Sequence, residues 1–148
     1  MRSGIKIESG PADLTIIVAD RHPFARAALA SLLSYDGYRV FQAPSLRTTL
    51  SYLDQIPNVA VLIADLDTPE WRSIVRHAVK TTNALVIAME GNHPYSEMYD
   101  LKARGIQICL KKPITYHDMQ KAIRHNVGER EFSNRVTDEI AAMPNALL

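Results

Sequence analysis

Residues 59–71 read VAVLIADLDTPEW, and this stretch decides the fold. An unbroken apolar run from Val59 stops at Asp65, passes a second acid at Asp67 and turns at Thr68-Pro69. A strand covered on both faces reads this way, without polar alternation, and an acid at its end is held where the sheet meets water. Asp65 is therefore the candidate reactive carboxylate. Taken alone it is equally an ordinary strand terminator or helix N-cap. Its meaning depends on what other strand ends bring beside it.

Upstream, Leu14 to Ala19 (LTIIVA) is a second buried strand ending in an acid, Asp20, followed by Arg21-His22-Pro23. Pro23 suits the first turn of a helix, and Ala25, Ala28, Leu29, Leu32 and Leu33 recur at helical spacing until Asp36-Gly37. Tyr38 to Gln42 predicts a short strand, and Ser45 a cap for a helix carrying Leu46, Leu50 and Leu53. Downstream, Trp71, Ile74, Val75, Ala78 and Val79 mark an amphipathic helix on a sheet, which makes Trp71 a packing residue. Ala84 to Met89 predicts strand four, and a polar loop from Glu90 to Pro94 leads to a weaker helix over about Ser96 to Ala103. Ile106 to Leu110 predicts strand five, Lys111-Lys112-Pro113 breaks the chain, and a last helix runs from about Thr115 to Asn126. Five strands alternating with five helices imply an α/β, doubly wound (βα)5 flavodoxin-like sandwich of three layers, with a parallel sheet in the order 2-1-3-4-5. In such sheets chemistry sits at the carboxyl ends of the strands, so Asp20, Asp65, Met89 and Lys112 share one rim.

The chain of 148 residues, 47% hydrophobic, is expected to form one domain over residues 14–127, with a flexible segment at 1–13 and an extension at 128–148 holding one short helix. A net charge of +1 gives no electrostatic case for nucleic acid or for an anionic membrane surface. The single cysteine, Cys109, excludes an intrachain disulfide and reads as a small buried residue. Without a signal peptide or a spanning run, a soluble cytoplasmic protein is expected. His22, His77, His93, His117 and His125 lack metal-ligand spacing on any one helix face and read as surface or capping residues. No Gly-rich phosphate loop follows strand one, which disfavours a nucleotide or flavin enzyme.

IIVADRHPFARAAL, VLIADLDTP and GIQICLKKPI, in that order at three strand ends, resemble the receiver domain of bacterial two-component response regulators. The resemblance covers about Leu14 to Val127. It implies a phosphoryl group passed from a histidine kinase or phosphotransfer protein to Asp65, with Lys112 as phosphoryl counter-ion, a downstream protein partner, and a dimer face of helix four, strand five and helix five. It implies no enzyme beyond self-phosphotransfer and autodephosphorylation. Magnesium would be held by Asp20, Asp65 and the backbone carbonyl of Asp67.

The sequence also departs from that family. Arg21 stands where the second acid of a pair would bind the metal directly, so Mg2+ is expected to bind weakly or not at all. Arg21 either pairs with Asp65 or Asp67, the favoured expectation, or points outward. Met89 occupies the position of a hydrogen-bonding Thr or Ser and cannot donate, unless a one-residue shift puts Glu90 there. Cys109 replaces a switching aromatic. Two functions follow: a stand-alone receiver phosphorylated on Asp65, or a pseudo-receiver that binds partners or dimerises without phosphorylation.

Overall fold

The computed structural model describes residues 14–91 and 98–127. The expected segments 1–13 and 128–148, and loop residues 92–97 with His93, lie outside the described residues. Five strands, β1 (Thr15–Ala19), β2 (Arg39–Ala43), β3 (Val59–Asp65), β4 (Leu85–Glu90) and β5 (Ile108–Lys111), alternate with α1 (Pro23–Tyr35), α2 (Leu46–Gln55), α3 (Trp71–Thr81) and α4 (Met98–Ala103). A fifth helix, α5, covers 116–127. The sheet order is β2-β1-β3-β4-β5, with every pairing parallel, so all five carboxyl ends lie on one rim. Among the described residues no helix is long and apolar enough to cross a membrane.

β3 lies at the centre because it can be buried on both faces. Ile17, Leu62, Ala64 and Val86 point to one side, where they meet Leu53 of α2, Trp71, Ile74, Val75 and Ala78 of α3 and Leu101 of α4. Ile16, Val18, Ile63, Ile87 and Met89 point to the other, against Leu33 of α1 and Met119, Ile123 and Val127 of α5. Leu62 and Ile63 are both wholly buried, and each such side chain contributes roughly 1.5–3 kcal/mol. A register shift after Thr15, which skips Ala60, explains why Val59 and Val61 face opposite cores although two residues apart.

The local signals are those of the sequence, with small displacements. Pro23 opens α1, and the Ser45 hydroxyl oxygen accepts from Thr48 N at 3.2 Å to cap α2. β4 runs one residue further than its apolar run, through Glu90, because Lys112 N donates to the Glu90 carbonyl at 2.8 Å. On α1 only part of the periodic face reaches the core. Ala30 and Leu33 are buried, whereas Ala25, Ala28, Leu29 and Leu32 line a groove of about 330 Å³ against Pro113, Ile114, Tyr116 and Met119. Asp36, at the far end of α1, ties the helices together by accepting from Tyr116 Oη at 2.6 Å and Gln120 Nε2 at 2.7 Å.

Candidate functional site

Asp65 ends β3 with its side chain wholly buried, and its two oxygens have different surroundings. Oδ1 accepts from Lys112 Nζ at 2.8 Å and from the backbone N–H of Asp67 at 3.1 Å. Oδ2 has no hydrogen-bond partner and lies 3.6 Å from Nδ1 of His22. Lys112 follows β5 and also donates to Asp67 Oδ2 at 3.0 Å, so one ammonium bridges two acids. Gly91 makes room for this bridge, since a Cβ there would collide with the Asp67 carboxylate.

Asp20, just past β1, is 4% exposed. Its Oδ1 accepts the His22 backbone N–H at 2.9 Å and sits 3.2 Å from His22 Nδ1. The same turn therefore orients the acid and brings the imidazole over it. Burial, followed by the nearby Asp65 charge, pushes the Asp20 carboxyl above its ordinary value, against the lowering effect of the His22 hydrogen bonds. For Lys112 burial would lower the pKa, but the hydrogen bonds to Asp65 and Asp67 outweigh it and hold the ammonium more firmly protonated than usual.

Register fixes which residue of β4 stands beside Asp65. Met89 is the Cα partner of Asp65, and its side chain joins the α1/α5 core and lines the groove beside Asp20 and Lys112. Glu90 faces the opposite side, 2% exposed, where Cys109 Sγ lies 3.6 Å from its Oε2 and Oε1 has no partner. Glu90 thus stands one step past the residue that pairs with Asp65 and faces the other way. Cys109 is half-buried, and burial followed by the Glu90 charge pushes its thiol up to about 11.

Arg21 corrects one expectation. It is exposed and forms no ion pair among the described residues, because the turn from Asp20 into Pro23 sends the next side chain outward and the following one inward. His22 is exposed and stands at the N-cap of α1, as a surface or capping residue would, and it also belongs to the rim beside Asp20 and Asp65. The reading by helix faces missed it because its neighbours come from two different strand ends. Its sequence signal was an i, i+2 spacing from a strand-end acid immediately before a helix-opening proline.

Magnesium asks for near-octahedral oxygen ligands. The buried carboxylates of Asp20 and Asp65, the latter through its orphaned Oδ2, supply part of that shell. The Arg21 side chain adds no oxygen and the donor nearest both acids is a nitrogen, while Asp67 gives Oδ2 to Lys112 and keeps Oδ1 without a partner among the described residues. These oxygens make a partial magnesium shell, and Arg21 leaves it one acid short of the set that the resemblance implies.

No family model matches the chain, and no curated protein matches it in sequence. Solved structures do. A response regulator receiver domain protein from Clostridium thermocellum superposes with a TM-score of 0.72 at 24% identity, over 80% of this chain and 98% of that one. The chain has the receiver-domain fold. A second receiver-fold neighbour, a Burkholderia pseudomallei response regulator with a phosphorylated aspartic acid, calcium ion and citrate, matches at TM-score 0.69 and 19% identity, over 84% of this chain and 75% of that one. A third, CheY6 from R. sphaeroides in complex with the P1 domain of CheA3, matches at 0.67 and 20%, over 79% and 97%. In the receiver fold the rim carrying Asp20, Asp65 and Lys112 is where strand order reverses between β1 and β3.

Proposed function

We propose that this chain acts as a phosphoacceptor in two-component signalling, with Asp65 taking a phosphoryl group from a phosphohistidine of a kinase or phosphotransfer protein and the domain then engaging a downstream protein. The observation that carries the reading is the asymmetry of Asp65: one oxygen is fixed by an ammonium and the other is buried, unpartnered and beside the open rim. In the transfer the Asp65 Oδ2–phosphorus bond forms as the phosphorus–nitrogen bond of the donor breaks, its electron pair staying on the nitrogen, and the donor leaves as neutral imidazole after taking a proton from solvent. Lys112 offsets charge on the phosphoryl oxygens. The printed contents of two neighbours, a phosphorylated aspartic acid in one and a CheA3 P1 domain in the other, support the same reading.

The pseudo-receiver reading has its own support. Lys112 is already engaged by two carboxylates, and Met89 offers the phosphoryl group no hydrogen bond. Intact mass after incubation with a small-molecule phosphodonor separates the two. The wild type is expected to gain one phosphoryl mass and Asp65→Ala none; a wild type that never gains it leaves the domain as a phosphorylation-independent binding or dimerisation module.

A further inference from the structure

α3 carries Arg72, Arg76 and Lys80 at intervals of four residues, all exposed along one face of the helix. At about 1.5 Å of rise per residue the row spans about 12 Å. Arg104 joins it from the end of α4, and the four cations line, with Val75 and Val79, one cleft of about 320 Å³. Composition conceals this local excess, since the whole chain carries a net charge of only +1. Arg104 Nε donates to Asp100 Oδ2 at 3.2 Å, whereas Arg76 and Lys80 form no ion pair among the described residues.

Two features hold these cations in place. The guanidinium carbons of Arg72 and Arg104 lie 4.6 and 5.8 Å from the ring centroid of Trp71, which is buried. Such cation–π contacts restrain long side chains, so less freedom is lost when a ligand arrives. Gly105, at a φ of +95°, sets the approach of the two helices. A Cβ there would collide with Val79 Cγ2, so glycine lets the end of α4 close on α3. A planar guanidinium presents paired N–H donors that match phosphate oxygens, and a row of such cations suits several linked negative charges better than one. Single-stranded nucleic acid stacks its bases on aromatic platforms, and among the described residues the lining of the cleft offers none. We propose that the α3/α4 cleft binds an oligophosphate, an anion of two or more linked phosphoryl groups, free or as the tail of a nucleotide. It is held by side chains and calls for no Gly-rich loop. The cleft shares no residue with the rim of Asp20, Asp65 and Lys112, so it stands independently of phosphorylation.

Calorimetric titration of the full chain with inorganic tripolyphosphate, without divalent cations, tests it, with orthophosphate, GTP and a single-stranded oligonucleotide as parallel titrants. One tripolyphosphate per chain is expected, bound at least tenfold more tightly than orthophosphate. The emission of Trp71, the single tryptophan, should change with the same midpoint, because two of the binding cations lie over its ring. Arg76→Glu should lose at least tenfold in affinity, and Arg76→Gln serves should that variant misfold by circular dichroism. Lys121→Glu makes the same charge change at an exposed position on α5, across the sheet, and should leave affinity within twofold. GTP binding as tightly as tripolyphosphate or more so makes the ligand a nucleotide, and weaker GTP binding makes it an inorganic chain. Equal losses in the folded Arg76 and Lys121 variants overturn the site. So do tripolyphosphate binding no tighter than orthophosphate, tighter binding of the oligonucleotide, and binding that leaves Trp71 emission unchanged.

Discussion

Two buried acids end neighbouring strands of this sheet, and their surroundings differ sharply. Asp65, on β3, faces the rim with an ammonium on one oxygen and a backbone N–H beside it. Glu90, one register step beyond Met89 on β4, faces the α3/α4 side, where among the described residues its side chain meets the Cys109 thiol at 3.6 Å. Both are at most 2% exposed. A buried carboxylate that is paired is held in position, whereas one that is poorly paired is a cost the rest of the fold must offset. Asp65 has the organisation expected of chemistry, and Glu90 does not.

Removing the ammonium should have the largest effect on this contrast. Lys112→Met leaves Asp65 and Asp67 without their shared partner and close to Asp20, and is expected to destabilise the fold by about 2 kcal/mol in chemical denaturation, a value reduced from that of a fully buried pair because Lys112 is partly exposed. An unchanged midpoint would mean that the bridge is not formed in solution. The opposite sign is expected on the other side. Glu90→Met replaces a carboxylate with an unpartnered oxygen by an apolar group of similar length and should stabilise by about 1 kcal/mol. Loss of stability there would show that Glu90 has a partner the contrast denies it.

The smallest effect concerns Cys109. Because its thiol is pushed up to about 11, alkylation should remain slow at pH 8 and rise only as pH approaches that value. The thiol form is the one favoured by folding, so the associated stability is present below the ordinary thiol range and is lost as pH rises through about 11. In Glu90→Met the alkylation profile should move to lower pH but stay above that of the unfolded chain, since burial is the larger cause. An unmoved profile would remove Glu90 from the thiol's surroundings.

Much of the fold and part of the site are legible in the sequence. Continuous apolar runs, strand-end acids and turn residues depend on near neighbours along the chain, and they place β1, β3 and the acids Asp20 and Asp65 at one rim. The helical period of α1 is legible too, but not its use: Leu33 enters the core, whereas Ala25, Ala28, Leu29 and Leu32 border a groove whose other wall is Pro113, Ile114, Tyr116 and Met119. Helix periodicity shows that a face is apolar and cannot say what covers it.

By itself the sequence determined the order of elements, the parallel winding and the residue types available to the site, since burial pattern and turn chemistry are local properties. Tertiary structure alone decided which of those residues meet. Strand pairing set Met89 beside Asp65 and turned Glu90 away, and the turn after β1 sent Arg21 to solvent and His22 over the two acids. A shift of one residue along a strand or turn reverses the side a side chain faces, and only the register of distant segments fixes that choice.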